Sequence, residues 1–326
     1  MRPIALNGHD RALTKVRYNR EGDLLFSVAK DKVPCVWYSH NGERIGTYEG
    51  HEGTVWSCDV DYLSEHLVTA SADNTLRVWD VQTGKSLAMI ETNTAVRSCC
   101  FSLDGRSIMY STDHAMGYPC YHRIVDLQQL KQEGGKAKPR YETEIKVKEK
   151  RITSLLWGPD SCFTAHANGD IVSWDLETKK PKAFQSAHKG IIMDLQFKSD
   201  FMFMISASKD HTAKVFDCDT MDIVKTFETE RPVNAAAISP TRDHVILGGG
   251  QEARDVTTTH GAAGKFDARL HHLVLEEEIG RIKGHFGPIN TLAFHPTGKG
   301  YASGGEDGFV RVHEFDDIYF DFEFEY

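Results

Sequence analysis

Hydrophobic and polar residues alternate along this chain in runs of about six, separated by short polar turns. Residues 54–91 show the pattern in four successive runs: "TVWSCDV" (54–60), "HLVTAS" (66–71), "SADNTLRVWD" (71–80) and "SLAMIE" (86–91). Period-two alternation places every second side chain on one face, the signature of a β-strand with a buried and a less buried side. The Asp73-Asn74 and Thr83-Gly84 steps between runs are turn chemistry. Four short strands joined by tight turns therefore fill about 40 residues.

The unit recurs. "SVAKDKVPCVWY" (27–38), "SADNTLRVWD" (71–80), "SASKDHTAKVFD" (206–217) and "SGGEDGFVRVHE" (303–314) each hold an Asp in the turn, at Asp31, Asp73, Asp210 and Asp307. A ring follows six residues later, at Trp37, Trp79, Phe216 and His313, and Ser27, Thr69, Ser206 or Ser303 precedes the Asp by four. A histidine stands 22 residues before each Asp, at His9, His51, His188 and His285; three of them follow a glycine (Gly8, Gly50, Gly284) and one follows Ala187. A weaker copy, "HANGDIVSWD" (166–175), has Asn168 in the Asp place and Trp174 in the ring place. Another, "YSTDHAMGYPCYHRIVDL" (110–127), has Asp113 in the Asp place and Val125 in the ring place. A further one, "HVILGGGQE" (244–252), has Gly248 and Glu252 in the Ser and Asp places. The His-to-His intervals of 42, 137 and 97 residues complete a count of seven.

Gly-His, a Ser/Thr-x-x-x-Asp turn and a terminal Trp-Asp at this period resemble the WD-repeat family. The resemblance covers the whole chain and implies an all-β, seven-bladed β-propeller, each blade a four-stranded antiparallel sheet. The expected blades are 9–48, 51–91, 94–130, 146–185, 188–228, 230–282 and 285–315 with 2–7, in a single domain over 1–326. Residues 4–9, "IALNGH", match the ends of outer strands at 45–51 and 279–285. The N-terminal strand is therefore expected to close the ring by pairing with the last blade, removing a sheet edge prone to aggregate.

The family pattern implies a hydrogen-bonded group in each blade joining His, Ser or Thr, Asp and the ring. The named members are His9, Ser27, Asp31 and Trp37; His51, Thr69, Asp73 and Trp79; His188, Ser206 and Asp210; His285, Ser303 and Asp307. A buried Trp N–H needs an acceptor, and a fully satisfied buried network rigidifies its surroundings. His, Asp and Ser also form hydrolase triads. Recurrence in four blades and the absence of a G-x-S-x-G elbow favour a structural role and no catalytic residues.

Composition narrows the function. With 38 Lys and Arg against 47 Asp and Glu, the net charge is −9, which argues against wholesale nucleic-acid binding. The seven cysteines are odd in number and lack a C-x-x-C pair, so reduced thiols in a cytoplasmic protein are expected. The opening "MRPIALNGHD" has no apolar run of signal-peptide length, and no run is long enough to span a bilayer. There is no G-x-x-x-x-G-K-[ST] phosphate loop, and no cofactor or metal is expected.

Function is then expected where the chain departs from the repeat. The 250–268 loop of the sixth repeat supplies Arg254, Asp255, Thr257 and Lys265 as candidate partner contacts. The fifth repeat's "FDCDTMD" (216–222) presents Asp217, Asp219 and Asp222, an acidic turn suited to a basic helix. Segment 130–151 holds eight Lys or Arg and four Glu; a solvated hairpin between the third and fourth blades is its expected form, with RNA phosphate contact as the alternative. The tail "YFDFEFEY" (319–326) alternates aromatic and acidic residues and is expected to form an extra strand against blade 6 or 7.

Several stretches outside the repeat consensus, including "STDHAMGY" (111–118), "TERPVNAAAISP" (229–240), "GGGQEARDVTTT" (248–259) and "KGHFGPINTLAFHPTGKGYASGGEDGFVR" (283–311), closely resemble the i-subunit family of eukaryotic translation initiation factor 3. That resemblance implies a non-catalytic scaffold in a factor that binds the small ribosomal subunit and recruits initiator tRNA and mRNA. It further implies docking of the b subunit, through a helical C-terminal segment of b, and of the g subunit. A signalling adaptor acting away from ribosomes and an enzyme using the central channel are the competing readings.

Overall fold

Seven antiparallel sheets stand around an axis in the computed structural model, which describes residues 3–137, 141–147, 151–250 and 266–321. For 136–147 only the backbone of Lys136–Ala137 and Tyr141–Val147 is described. Counting strands outward from the axis, blade 1 comprises Leu13–Tyr18, Leu24–Ala29, Cys35–Tyr38 and Arg44–Thr47. Blade 2 comprises Val55–Val60, His66–Ser71, Thr75–Asp80 and Ser86–Glu91; blade 3 comprises Val96–Phe101, Ser107–Thr112, Cys120–Asp126 and Tyr141–Val147. Blade 4 comprises Ile152–Trp157, Ser161–His166, Asp170–Asp175 and Pro181–Ser186; blade 5 comprises Ile192–Phe197, Phe203–Ser208, Thr212–Asp217 and Ile223–Glu228. Blade 6 comprises Val233–Ile238, His244–Gly249, Ala268–His272 and Glu278–Ile282, and blade 7 comprises Ile289–Phe294, Gly300–Gly305, Phe309–Glu314 and Ile4–Asn7. The fold is a seven-bladed β-propeller.

Every inner strand lies against the inner strands of both neighbours, and that of blade 7 meets that of blade 1. The N-terminal strand closes the ring: Ile4 pairs with Val312 and Asn7 with Phe309, antiparallel. The apolar core is divided accordingly. Seven clusters of buried side chains each fill one gap between adjacent blades, as Trp79, Phe26 and Leu67 do between blades 1 and 2. A blade alone has two apolar faces and no partner; the ring covers both faces of all seven.

Each inner strand carries a register shift at its second residue: Thr14, Trp56, Arg97, Thr153, Met193, Asn234 and Asn290. A bulge gives one strand an extra residue and re-aims its side chain. Several of these side chains reach the next blade. Thr14 Oγ1 donates to Val55 O at 2.5 Å, Asn234 Nδ2 to Ile289 O at 3.1 Å, and Asn290 Nδ2 to Leu13 O at 3.0 Å, while the Arg97 guanidinium lies over the Trp56 ring. They form a collar around one mouth of the axial channel.

Four expectations from sequence are corrected. The third blade does not end at 130, and 130–151 is not a separate hairpin. Helix α1 (Leu127–Glu133), capped by Asp126 accepting from Gln129 N at 2.7 Å, buries Leu127 and Leu130 against blades 2 and 3. Lys136–Ala137 then pairs parallel with the outer strand of blade 2, and Tyr141–Val147 is the outer strand of blade 3, so blade 4 starts at Ile152 and not at 146. Asp113 is not in the Asp place. Its amide bonds Ala95 O just as Ala72 bonds Thr54 O, one position before Asp73, and its carboxylate takes Arg97 Nε at 2.7 Å and Arg151 Nε at 3.3 Å. Gly248 is likewise one residue out: Val233 pairs with Gly249 as Val55 pairs with Ser71, which puts Leu247 in the Ser place. Residues 317–321 form a short helix, α2 (Asp317–Asp321), rather than a strand, because Tyr319 must turn inward: its ring stacks on Phe315 at 3.9 Å and its hydroxyl meets His244 Nδ1 at 2.8 Å. It thereby packs on blades 6 and 7. The remainder of the tail, 322–326, and residues Glu252, Arg254, Asp255, Thr257 and Lys265 lie outside the described residues.

Candidate docking surfaces

Of the polar clusters in the ring, the histidine groups most resemble a catalytic site. In blade 2, Trp79 Nε1 donates to Thr69 Oγ1 at 2.8 Å, Thr69 Oγ1 lies 2.7 Å from His51 Nε2, and His51 Nδ1 lies 2.8 Å from Asp73 Oδ2. Blade 1 repeats this with Trp37, Ser27, His9 and Asp31, each contact at 2.8 Å. With a neutral ring the indole N–H feeds the hydroxyl, the hydroxyl donates to Nε2, and Nδ1–H donates to the carboxylate. In blade 1, against burial, the Asp31 hydrogen bond raises His9 to about 9, so there both ring nitrogens donate and Ser27 Oγ accepts from Nε2 as well as from Trp37. Backbone amides complete the carboxylate, as Glu52 N and Thr75 N do at Asp73. The glycines before His9 and His51 have a steric cause. A Cβ on Gly8 would sit 2.6 Å from the Trp37 ring, and one on Gly50, at φ +152°, would meet Arg77 and Trp79.

Asp–His–Ser geometry of this kind supports acyl transfer only when the hydroxyl meets substrate. Ser27, Thr69 and Ser206 are wholly buried, and in blades 1 and 2 the oxygen already accepts the tryptophan proton. Blades 5 and 7 keep three members of the group. His188 contacts Asp210 at 3.0 Å and Ser206 at 2.6 Å; His285 contacts Asp307 at 3.1 Å and Ser303 at 2.8 Å. Their ring places hold Phe216, with no N–H, and His313, stacked on Tyr301 at 4.6 Å. In blade 7 Arg311 Nη1 adds a bond to Asp307 at 2.8 Å. Blade 4 has Trp174 on Thr164 at 2.9 Å, with His166 supplied from its own strand at 3.0 Å. Burial opposes ionisation of Asp210, yet the Thr212 hydroxyl, His188 and the Lys189 amide hold its carboxyl down to about 2. Asp31, Asp73 and Asp307 are likewise held low against burial, chiefly by their histidine hydrogen bonds.

The acidic turn of blade 5 divides in two. Asp217 is spent on the turn itself, its Oδ1 accepting from Asp219 N and Thr220 N at 2.9 Å, as Asp80 and Asp175 serve Thr83 and Thr178 in blades 2 and 4. Asp219 and Asp222 are exposed. Next to them stand the exposed Ile223 and Val224 on the outer strand. Lys225 bridges to the neighbouring turn of blade 6, its Nζ 2.7 Å from Val274 O and 3.0 Å from Glu276. Val274 and Leu275 of that turn are also exposed, with Glu276 and Glu277 beyond them. An apolar strip bounded by carboxylates thus crosses the edge between blades 5 and 6. Residues 223–224 and 274–275 were missed in sequence, where they read as ordinary strand and turn.

The axial channel is blocked at its waist. Lys15 of blade 1 reaches across to Asp194 of blade 5 at 2.5 Å, and Gln196 Nε2 ties Asp194 to Leu292 O. On the collar side a space of about 50 Å³ remains; on the face bearing the hairpins between first and second strands a cup of about 380 Å³ opens. Among the described residues one set of metal-ligand types converges, Asp61, Glu65 and His66. Both nitrogens of His66 are engaged, Nδ1 by Asp61 at 2.7 Å and Nε2 by the Lys131 ammonium at 2.9 Å, so a cation there would face a lysine. No helix among the described residues is long and apolar enough to cross a membrane.

The EIF3I family matches residues 1–325 of the chain. Proteins named eukaryotic translation initiation factor 3 subunit I are similar to it end to end. That of Xenopus tropicalis is 53% identical over 327 residues, covering 100% of both chains. That of Homo sapiens is 52% identical over 327 residues with the same coverage. That of Bombyx mori is 51% identical over 328 residues, covering 100% of this chain and 99% of its own length. With half its residues shared along the full length of these proteins, on a ring of seven blades, the chain belongs to the EIF3I family, the i subunits of eukaryotic translation initiation factor 3.

Proposed function

We propose that this protein is a non-catalytic scaffold subunit of translation initiation factor 3. It holds the b and g subunits together and so supports small-subunit preinitiation complex assembly and mRNA recruitment in the cytoplasm. The observation that carries the reading is the apolar strip across blades 5 and 6, set in carboxylates on a ring braced at every blade gap. A strip of this kind takes one face of an amphipathic helix, with basic residues of that helix meeting Asp219, Asp222, Glu276 and Glu277. That is the form expected of the b segment. Rigidity supports the role: a stiff ring keeps separate partners at high mutual effective concentration.

The test is affinity purification of the tagged chain from its own cells, followed by mass spectrometry. Co-isolation of the b and g subunits is expected, with Val224→Asp depleting b by about tenfold while the melting temperature stays unchanged, since a buried charge at a docking strip costs on the order of 1–3 kcal/mol. Isolation of the chain without other initiation-factor subunits would refute the reading.

A further inference from the structure

The cup opens on the same face as the blade 5–6 turns but around the axis, lined by inner strands and their hairpins, and is built differently. Its floor is Arg17, whose Nε donates to Asp59 Oδ1 at 3.0 Å while 41% of the side chain stays accessible. Asp59 is fully committed, since its other oxygen accepts from Phe101 N at 2.9 Å. Among the described residues the two Nη groups of Arg17 have no hydrogen-bond partner, so the planar end of the guanidinium is presented to the cup. Asp61, the other carboxylate of the lining, is spent on His66 and on the amides of Glu65 and His66. Arg20 at the rim lies 3.8 Å over the Tyr62 ring and has no ion pair among the described residues. The cup is therefore locally positive on a chain of net charge −9. Around it, consecutive blades contribute exposed or half-exposed apolar side chains: Tyr62, Leu103, Trp157 and Phe201.

We infer that this cup is a second docking site, for an acidic segment of a partner protein. One Asp or Glu side chain sits on the Nη groups of Arg17, and flanking apolar residues lie on the Tyr62–Leu103–Phe201 arc. A planar guanidinium with two free donor groups matches a carboxylate bidentately. Its mate Asp59 fixes the orientation in advance, so little order is lost on binding. A cup of about 380 Å³ accommodates one or two side chains rather than a folded domain. RNA is the poorer occupant: its affinity comes from many phosphate contacts, and one floor guanidinium on an acidic protein supplies few.

Fluorescence anisotropy on the full chain tests this, with a short fluorescein-labelled peptide of glutamate, phenylalanine and glycine as the probe. Binding is expected, with at least tenfold weaker binding of the same peptide carrying lysine for glutamate. Arg17→Gln and the surface variants Arg20→Glu and Leu103→Ser should each weaken it several-fold to tenfold. Arg20→Glu and Leu103→Ser should do so without shifting the melting temperature, which separates a lost site from a lost fold. Val224→Asp, in the other strip, should leave it unchanged. Equal binding of the lysine peptide, indifference to both Arg17→Gln and Arg20→Glu, loss on Val224→Asp, or tighter binding of oligouridylate would each overturn the inference. So would a tenfold gain in peptide affinity on truncation after Asp321, because the chain's own acidic-aromatic tail would then be the occupant.

Discussion

At the residue scale, one hydroxyl decides how much a blade gains from its histidine. Thr69 accepts from Trp79 and donates to His51, so its loss strands two buried polar groups. Ser206 has no ring-place donor, since Phe216 offers no proton; it meets His188 and, at 3.4 Å, Lys214 O. Thr69→Val is expected to cost about 2–4 kcal/mol and Ser206→Ala about 1–2 kcal/mol, read as a larger fall in urea midpoint for the first. Equal losses would show that the tryptophan bond adds nothing. The spacing of 22 residues from His to Asp was enough to place these partners, because turn and strand lengths are fixed within a repeat. The ring place was legible only as a size: that Phe216 fills it without a bond and that His313 fills it by stacking on its cross-strand neighbour Tyr301 follows from the side chains packed around it.

At the element scale, the stretch 127–147 departs most from a plain repeat. Its seven-residue helix is too short to persist alone. It survives because Leu127 and Leu130 enter the cluster shared by blades 2 and 3, and because Lys131 reaches His66. The following Lys136–Ala137 masks part of the exposed edge of blade 2. Leu130→Ala should remove about 2–5 kcal/mol from this docking. Hydrogen exchange should quicken in 127–147 and in Ser86–Glu91 while blades 5 to 7 keep their protection; uniform quickening around the ring would count against a local dock. The charge of this segment was plain in the sequence and pointed to a solvated hairpin. The alternation Tyr141, Thr143, Ile145, Val147 was equally present, but only the empty outer place of blade 3 gives it meaning. The one-residue misplacement of Asp113 has the same root: the long turn after it hid the register, which inter-strand pairing then set.

At the scale of the whole molecule, stability is shared among seven blade gaps, and buried histidines make it sensitive to acid. Burial drives His122 and His244 down to about 4 and His313 to about 3, with like charges nearby adding to each. In the unfolded chain these rings take up a proton near pH 6.5. Between that value and their folded pKa the unfolded state binds more protons, so these rings cost nothing above pH 6.5 and lower stability as pH drops toward 4. His9, raised to about 9 by Asp31 against burial, instead contributes in full below pH 6.5 and loses that contribution as pH rises through 9. The depressed carboxylates Asp73, Asp210 and Asp307 act in the same direction lower down, losing their contribution as pH falls below about 4. Thermal melts at constant ionic strength should show the midpoint falling from pH 6.5 to 4.5, with most of the drop recovered in a His122→Gln, His313→Gln double variant if it folds with wild-type near-ultraviolet dichroism. A flat profile over that range would mean that the rings are not held neutral.

Read from local pattern alone, the chain declares the repeat, the number of blades, the closing strand and the polar partners inside four of them. All of these follow from local periodicity and from spacings that a strand-and-turn unit cannot vary without breaking its own pairing. The rest emerges only once the ring has closed: the bulge collar, the Lys15–Asp194 plug, the helical turn at Tyr319, and the two exposed surfaces across blades 5–6 and around Arg17. Each joins side chains from blades distant in sequence, and no periodicity within one blade records which residues closing the ring will bring face to face.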